Sequence, residues 1–356
     1  MKYAHFIFIL FIFCCISCVK DKPNPDVKYL PSVSSRGVVI LNEGSFGNNN
    51  AEISYLDLSE NKLSNLIYRN ANDKSLGDVA QHVQFYENHF FILLNNSNKL
   101  VVLDALTWKL KATVSGIVSP RYMVFADSKI FISSLSQNVI YVVDANSLQL
   151  IDQVLIDDKG AENMMLVGNE IWITHWNIQR KQVFILNTQT RKMEDKIELP
   201  YYASHAIVQD RNDMVWILAG NKYQNRRSAL MQIHPTTHQI IQQFEFPEEA
   251  EPIRLQMNAT KDTLYFIQVN YDGGANHNGL YRMSIDDVDL PNQAFIAAMQ
   301  NSYFWAYGID SVSKHIFISD PKGFTQQSSI YEYSNQAKLL YEYRAGIGAN
   351  QFLFTR

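Results

Sequence analysis

Beyond residue 18 the 356-residue sequence contains no cysteine, because Cys14, Cys15 and Cys18 are the only three. A disulfide framework for the body of the chain is therefore excluded. There is no basic run either, the formal net charge is −4 and 19% of residues are charged. A nucleic-acid face needs clustered Lys and Arg, so that partner is not expected. Catalytic and metal signatures are equally sparse: no His-x-x-x-His, no Cys pair beyond residue 18, no EF-hand loop and no Gly-x-Ser-x-Gly elbow occurs, and Gly346-Ile347-Gly348 lacks the third glycine of a dinucleotide loop. Asp286-Asp287-Val288-Asp289 has the composition of a calcium loop without its spacing and reads as an exposed turn. Nothing nominates a nucleophile with its base, so no enzyme activity and no required cofactor or metal is expected.

What is present is a repeat. Seven short β-branched or aromatic runs carry an anchor residue, at Val39, Phe91, Phe131, Trp172, Trp216, Tyr265 and Phe317, with steps of 40 to 52 residues. That is the period of a four-stranded propeller blade. In the third unit the order is Tyr122–Phe125, a turn at Ala126-Asp127-Ser128, Ile130–Ser133, a loop, Ile140–Val143 and a polar stop at Asp144; the fourth repeats it from Met164 to Asn187. The first unit has its second strand, Val38–Leu41, with no inner strand before it, whereas Ala349–Phe354 is an inner-strand run with no blade after it. Pairing the two closes a ring and removes the open edges that a large β-sandwich array would leave. The expected fold is all-β, a seven-bladed β-propeller closed by a C-terminal strand. With 47% hydrophobic residues the chain can fill such a core as one domain, residues 36–356.

The N-terminus differs in kind. Lys2 precedes the apolar stretch Phe6–Ile16, too short to span a membrane but suited to a signal peptide, residues 1–17. It ends in Cys15-Ile16-Ser17-Cys18, which resembles a bacterial lipobox with Cys15 where Leu is commonest. Cys18 is then the lipidation site, and the polar, Pro-containing residues 18–35 form a flexible tether, unless they pack along the propeller rim.

In a propeller the loops joining second to third strands share a face with the inner-strand starts. Here those loops are short in blades two and three and long in blades one (Asn42–Asn50), four (His175–Gln182), five (Gly220–Ser228), six (Asn270–Gly279) and seven (Asp320–Ser329). They display Phe46, His175, Trp176, Tyr223, Arg226, Arg227, Tyr271, His277 and Phe324, while inner-strand starts add His82, Arg121, Tyr122, His205, Arg254 and Trp305, with Tyr201 and Tyr202 just before. Each residue type also serves inter-blade packing, but as a set they point to a ligand-binding face.

The segment Val38-Val39-Ile40-Leu41-Asn42-Glu43-Gly44-Ser45-Phe46-Gly47-Asn48-Asn49-Asn50-Ala51-Glu52-Ile53-Ser54-Tyr55 resembles the first-blade signature of the YncE-like propeller lipoproteins, the group containing the surface cobalamin-binding protein BtuG. The likeness runs through the repeats to Asn350-Gln351-Phe352 and includes the lipobox. It implies a non-enzymatic lipoprotein at the outer-membrane surface that binds a corrinoid such as cobalamin and passes it to a TonB-dependent transporter. The protein would be monomeric apart from that complex and held to the membrane by its lipid. Asn42, Glu43, Gly44 and Phe46 match the family motif; Gly44 serves backbone conformation, and Asn42 and Glu43 are candidates both for ligand contact and for holding the loop. Two rivals stand beside this reading: an envelope scaffold binding a protein or glycan, and a propeller lactonase or lyase, which needs a polar, often metal-filled mouth.

Replacing Cys18 by Ala should abolish acylation and release the protein from the membrane fraction. A processed Cys18→Ala product still tightly bound to membranes would contradict the lipobox reading.

Overall fold

A computed structural model describes residues 30–33, 36–269, 278–300 and 302–355. Its strands form seven four-stranded antiparallel sheets among the described residues. Blade 1 takes its inner strand, Ala349–Thr355, from the C-terminus and continues with Gly37–Asn42, Glu52–Asp57 and Lys62–Ser64. Blades 2 to 7 begin with inner strands Ala80–Tyr86, Pro120–Ala126, Ala161–Val167, Ser204–Gln209, Glu251–Met257 and Ala306–Ile309. The expected closure is what forms: Val39 pairs with Leu353 and Gly37 with Thr355.

The anchors explain the repeat. Each sits on a second strand opposite an inner-strand residue, as in Phe131 with Val124, Trp172 with Met165 and Phe317 with Gly308, and all are buried. Second strands are buried along nearly their whole length because both faces are covered. In Gly37–Asn42, Val38 and Ile40 face blade 7 while Val39 and Leu41 face blade 2. Outer strands such as Leu110–Ser115 instead alternate between half-buried and exposed, as a sheet with one wet face must. The blade core is thus a series of clusters between neighbouring blades, and each blade depends on the next.

Some expectations are corrected. The long loops expected in blades 5 and 7 are shortened by strand at both ends: Val215–Asn221 and Arg226–Ile233 are joined through a 3-10 turn, Lys222–Gln224, and Ile316–Asp320 and Gln327–Tyr333 through Lys322–Phe324. A short helix, Ile67–Asn72, follows blade 1, its first amides at Tyr68 and Arg69 donating to the buried Glu52 carboxylate. Residues just ahead of the boundary at residue 36 touch the propeller, as the rim-packing alternative allows. Leu30 and Val33 pack against the blade 1 and 2 core, and the Pro31 carbonyl accepts from the fully buried Trp108 indole at 2.8 Å. Cys18 and the rest of residues 1–29 lie outside the described residues.

Closure is sterically tight at Gly308, where an added Cβ would lie 2.6 Å from the Phe352 Cβ on the closing strand. Gly308→Ala should cost about 1–3 kcal/mol in denaturant unfolding. An unchanged midpoint would show that the closing strand does not press on blade 7.

Candidate functional site

Regular alternation would turn every second inner-strand residue away from the central channel. Instead, the pairing of inner with second strand is broken near its start in six blades. The register skips Asn350 in blade 1, Gln81 in blade 2, Arg121 and Tyr122 in blade 3, Glu162 and Asn163 in blade 4, His205 in blade 5, and Arg254 and Leu255 in blade 6. These irregularities re-aim polar side chains, and every residue skipped lines one funnel of about 820 Å³. Hydroxyls of the second strands satisfy the backbone so displaced: Ser133 accepts from the Tyr122 amide at 3.0 Å and donates to the Glu162 carbonyl at 2.7 Å. Thr174 donates to the Asn163 carbonyl at 2.9 Å.

The lip is built by a second recurring device. Gly348, Val79, Ser119, Gly160 and Ala203 precede the inner strands of blades 1 to 5 in the left-handed or an adjoining positive-φ conformation. Their carbonyls accept from the amides of Glu43, Asn95, Leu135 and Trp176, the residues that follow the second strands, and of Gly220, one residue before the end of the second strand of blade 5. Glu43, Asn95 and Trp176 are thereby set at equivalent places around the mouth. Gly44 has φ +83°, and a Cβ there would meet Asn50 Oδ1 at 2.4 Å, so glycine is needed where the loop turns.

The funnel charges are largely paired with one another. Arg121 makes a bidentate contact with Glu162, at 2.8 Å through Nε and 2.5 Å through Nη2, and donates from Nη1 to Gln81 at 2.6 Å. Burial alone would lower the Arg121 pKa, but the Glu162 carboxylate overrides this and holds it above the ordinary value. Burial pushes the Glu43 carboxyl up, opposed by the charge of Arg254, a 3.4 Å hydrogen bond from Asn350 and the charge of Arg121. Arg254 has a left-handed backbone, φ +60°, and lies over Trp305 at 4.6 Å from the ring centroid. Its Nε donates to the Trp305 carbonyl at 3.2 Å, and its own carbonyl accepts from the Tyr307 hydroxyl at 2.8 Å. Burial raises the Tyr122 pKa, the nearby Glu162 carboxylate adding to the effect. His205 lies edge-on to Trp176 with ring centroids 5.5 Å apart, and burial, aided by the charge of Arg254, lowers its pKa to about 4. His82 tilts against Tyr122 at 5.1 Å and is likewise lowered to about 4 by burial. Both imidazoles are neutral near pH 7. Among the described residues, enclosed polar atoms without a hydrogen-bond partner sit in the wall at His82 Nε2 and Asn350 Oδ1, while the Trp305 indole is directed at the Glu43 carboxylate.

Of the residues singled out in the sequence, Glu43, Phe46, His82, Arg121, Tyr122, Trp176, His205, Tyr223, Arg254 and Trp305 converge on this funnel. Asn42 and His175 do not. Each ends a second strand and turns between strands rather than into the lumen. Asn42 is fully buried, donating to Ser54 Oγ at 2.9 Å and the Glu52 carbonyl at 3.2 Å. His175 is fully buried edge-on to Phe184 at 5.3 Å, with Nδ1 accepting from the Asn177 amide. Tyr202 stands on the outer lip against Lys181 and Arg226. Tyr271 lies outside the described residues. Residues not foreseen are Gln81, Glu162, Asn163, Glu251 and Asn350. Their signal was present as a small residue followed by polar ones at the inner-strand starts, in Ala80-Gln81-His82, Ala161-Glu162-Asn163 and Ala349-Asn350-Gln351. Among the described residues no three His, Cys, Asp or Glu side chains converge to hold a metal ion.

Residues 36–353 match the family described as a domain of unknown function, DUF5074. The chain belongs to the DUF5074 family. No curated protein matches the sequence. Solved structures similar to this DUF5074 propeller include a quinonprotein alcohol dehydrogenase-like protein from Bacteroides thetaiotaomicron, with TM-score 0.69 and 15% identity over 90% of this chain and 79% of that one. The periplasmic gluconolactonase of Pseudomonas aeruginosa aligns with TM-score 0.66 and 10% identity, covering 90% and 99%. A putative 6-phosphogluconolactonase from Bacteroides fragilis gives 0.65 and 11%, covering 91% and 99%. At these identities the likeness is one of fold.

The buried His205 gives the DUF5074 domain a pH dependence. Its ordinary pKa of 6.5 is lowered to about 4 by folding, so between those values the unfolded chain holds the proton that the folded chain resists. Its contribution is complete above about pH 6.5 and is lost as pH falls toward 4. Glu43, with a raised pKa, works in the opposite sense, so the variant must isolate the histidine. From pH 7 to 4 the melting midpoint of wild type should fall more than that of His205→Gln. Parallel profiles would contradict the assignment.

Proposed function

We propose that the protein is a non-enzymatic receptor whose funnel captures a large amphipathic molecule with an uncharged, amide- or hydroxyl-bearing body, a corrinoid being the first candidate. The observation that carries this reading is the character of the funnel wall. Phe46, Tyr122, Trp176 and Trp305 supply aromatic surface, while Arg121 is already matched by Glu162 and Glu43 is flanked by Arg254. Aromatic faces cover an apolar plane, and amides and paired charges meet its polar rim without demanding a net charge. Among the described residues neither His82 nor His205 is hydrogen-bonded to a carboxylate that would orient it as a general base, which favours binding over catalysis. Rigid bulged strands lower the ordering cost of capture. The resemblance to the YncE-like lipoproteins supports the corrinoid, an outer-membrane lipid anchor at Cys18 and hand-over to a TonB-dependent transporter.

Titration of cyanocobalamin into the mature chain tests the reading. Binding should saturate at micromolar ligand, and Trp176→Ala should weaken it by about 1–3 kcal/mol. Val312→Ser should leave it unchanged, because Val312 is exposed in the turn joining inner to second strand of blade 7, at the end of the channel away from the funnel. No binding by wild type would sink the corrinoid and favour a scaffold for an envelope protein or glycan.

A further inference from the structure

We infer that Lys181, Tyr202 and Arg226 form an oxyanion-binding subsite on the lip of the funnel, where blades 4 and 5 meet, for a phosphate group carried by the funnel's ligand. The inference rests on the reading of the funnel as a ligand site. Lys181 Nζ and the Arg226 guanidinium both lie against the Tyr202 ring, 4.5 and 4.1 Å from its centroid. The two positive charges are therefore no farther apart than those distances added together. That is inside a Debye length of about 10 Å at 0.1 M salt, so they repel each other.

The neighbouring cations are neutralised and these two are not. Arg180 binds Asp158 at 3.0 Å and Arg227 binds Glu245 at 2.8 Å. Among the described residues neither Lys181 nor Arg226 forms an ion pair with a carboxylate. Both are half-buried. Arg226 is fixed by donating from Nε to the Ile178 carbonyl at 2.8 Å, which uses one of its five N–H groups. Cation–π contact with Tyr202 holds the pair in place without neutralising it. A bound oxyanion would relieve the repulsion and accept charge-assisted hydrogen bonds from both side chains.

The subsite adjoins the funnel. The left-handed Ala203 follows Tyr202, its amide donating to the Arg180 carbonyl, and His205, two residues on, lines the cavity. Trp176, on the other flank, lines it too, two residues before the Ile178 carbonyl that holds Arg226. A molecule whose neutral body fills the funnel could thus lay an anionic arm over this lip.

The test compares cyanocobalamin, which carries a phosphodiester, with dicyanocobinamide, which has the corrin ring without it. Wild type should bind cobalamin about 10- to 100-fold more tightly than cobinamide, the range of one or two charge-assisted hydrogen bonds. That preference should shrink in high salt and in Lys181→Met/Arg226→Gln, whose cobinamide affinity should match wild type. Equal affinity for the two ligands in wild type, or a variant that weakens both alike, overturns the subsite while leaving the funnel reading intact. If neither corrinoid binds, the funnel reading fails and inorganic phosphate decides the subsite alone. It should raise the melting midpoint of wild type above that in chloride of equal ionic strength, and do so less in the variant. Equal effects in both proteins would overturn the inference.

Discussion

The pairing of Ala349–Thr355 with Gly37–Asn42 is the contact on which the rest of this propeller depends. Each hydrophobic cluster lies between two blades, so a ring left open would expose an apolar face at both sides of the break. The same seam carries the most specific stretch of sequence. Glu43 and Gly44 donate to the Gly348 and Ile347 carbonyls, Ala80 donates to the Glu43 carbonyl, and Ser45 Oγ reaches the Phe324 carbonyl, so one loop fastens blades 7, 1 and 2. Gln351 adds a two-way amide bridge to Val83, at 2.8 and 2.9 Å. The segment that resembles the first-blade signature of the YncE-like lipoproteins is thus largely a closure device, with Glu43 alone of its Asn-Glu-Gly residues lining the funnel.

From that closed ring the site follows by local irregularity. Straight inner strands would show the channel one side chain in two, whereas the register breaks present adjacent residues such as Arg121 and Tyr122, or Glu162 and Asn163, to the same lumen. Burying so many polar groups is costly unless they are matched. The Arg121, Glu162 and Gln81 cluster is matched internally, whereas among the described residues His82 and Asn350 each retain an unpartnered enclosed atom. Unpartnered enclosed polar atoms are few in folded proteins, and each calls for a physical reason.

The architecture was legible because burial on both faces forces long apolar second strands, and seven of these at blade spacing leave few alternatives. Trp172 and Trp216 could be placed from the repeat alone, and both are fully buried on their second strands. The site was legible in part. Large aromatic and cationic residues at strand starts, such as Tyr122 and Trp305, stood out, while Glu162 and Asn350 did not, because a register break cannot be seen by counting alternation. Asn42 and His175 misled for the converse reason. Polar residues beside a loop suggest exposure, but a strand's last side chain can still turn into the blade, where Asn42 completes hydrogen bonds with Ser54 and Glu52. Which residues ahead of the propeller touch it could not be read beforehand, since nothing in Leu30-Pro31 announces that Trp108, 77 residues later, will donate to it.

Hydrogen–deuterium exchange of the full chain with and without cyanocobalamin tests most directly whether the register-broken inner strands form a ligand site. The account predicts added protection in peptides spanning 43–46, 81–82, 121–122, 162–163, 176, 205 and 254, with none in the turns at 104–109 and 144–149 on the opposite face. Unchanged exchange throughout, or protection confined to that opposite face, would contradict it.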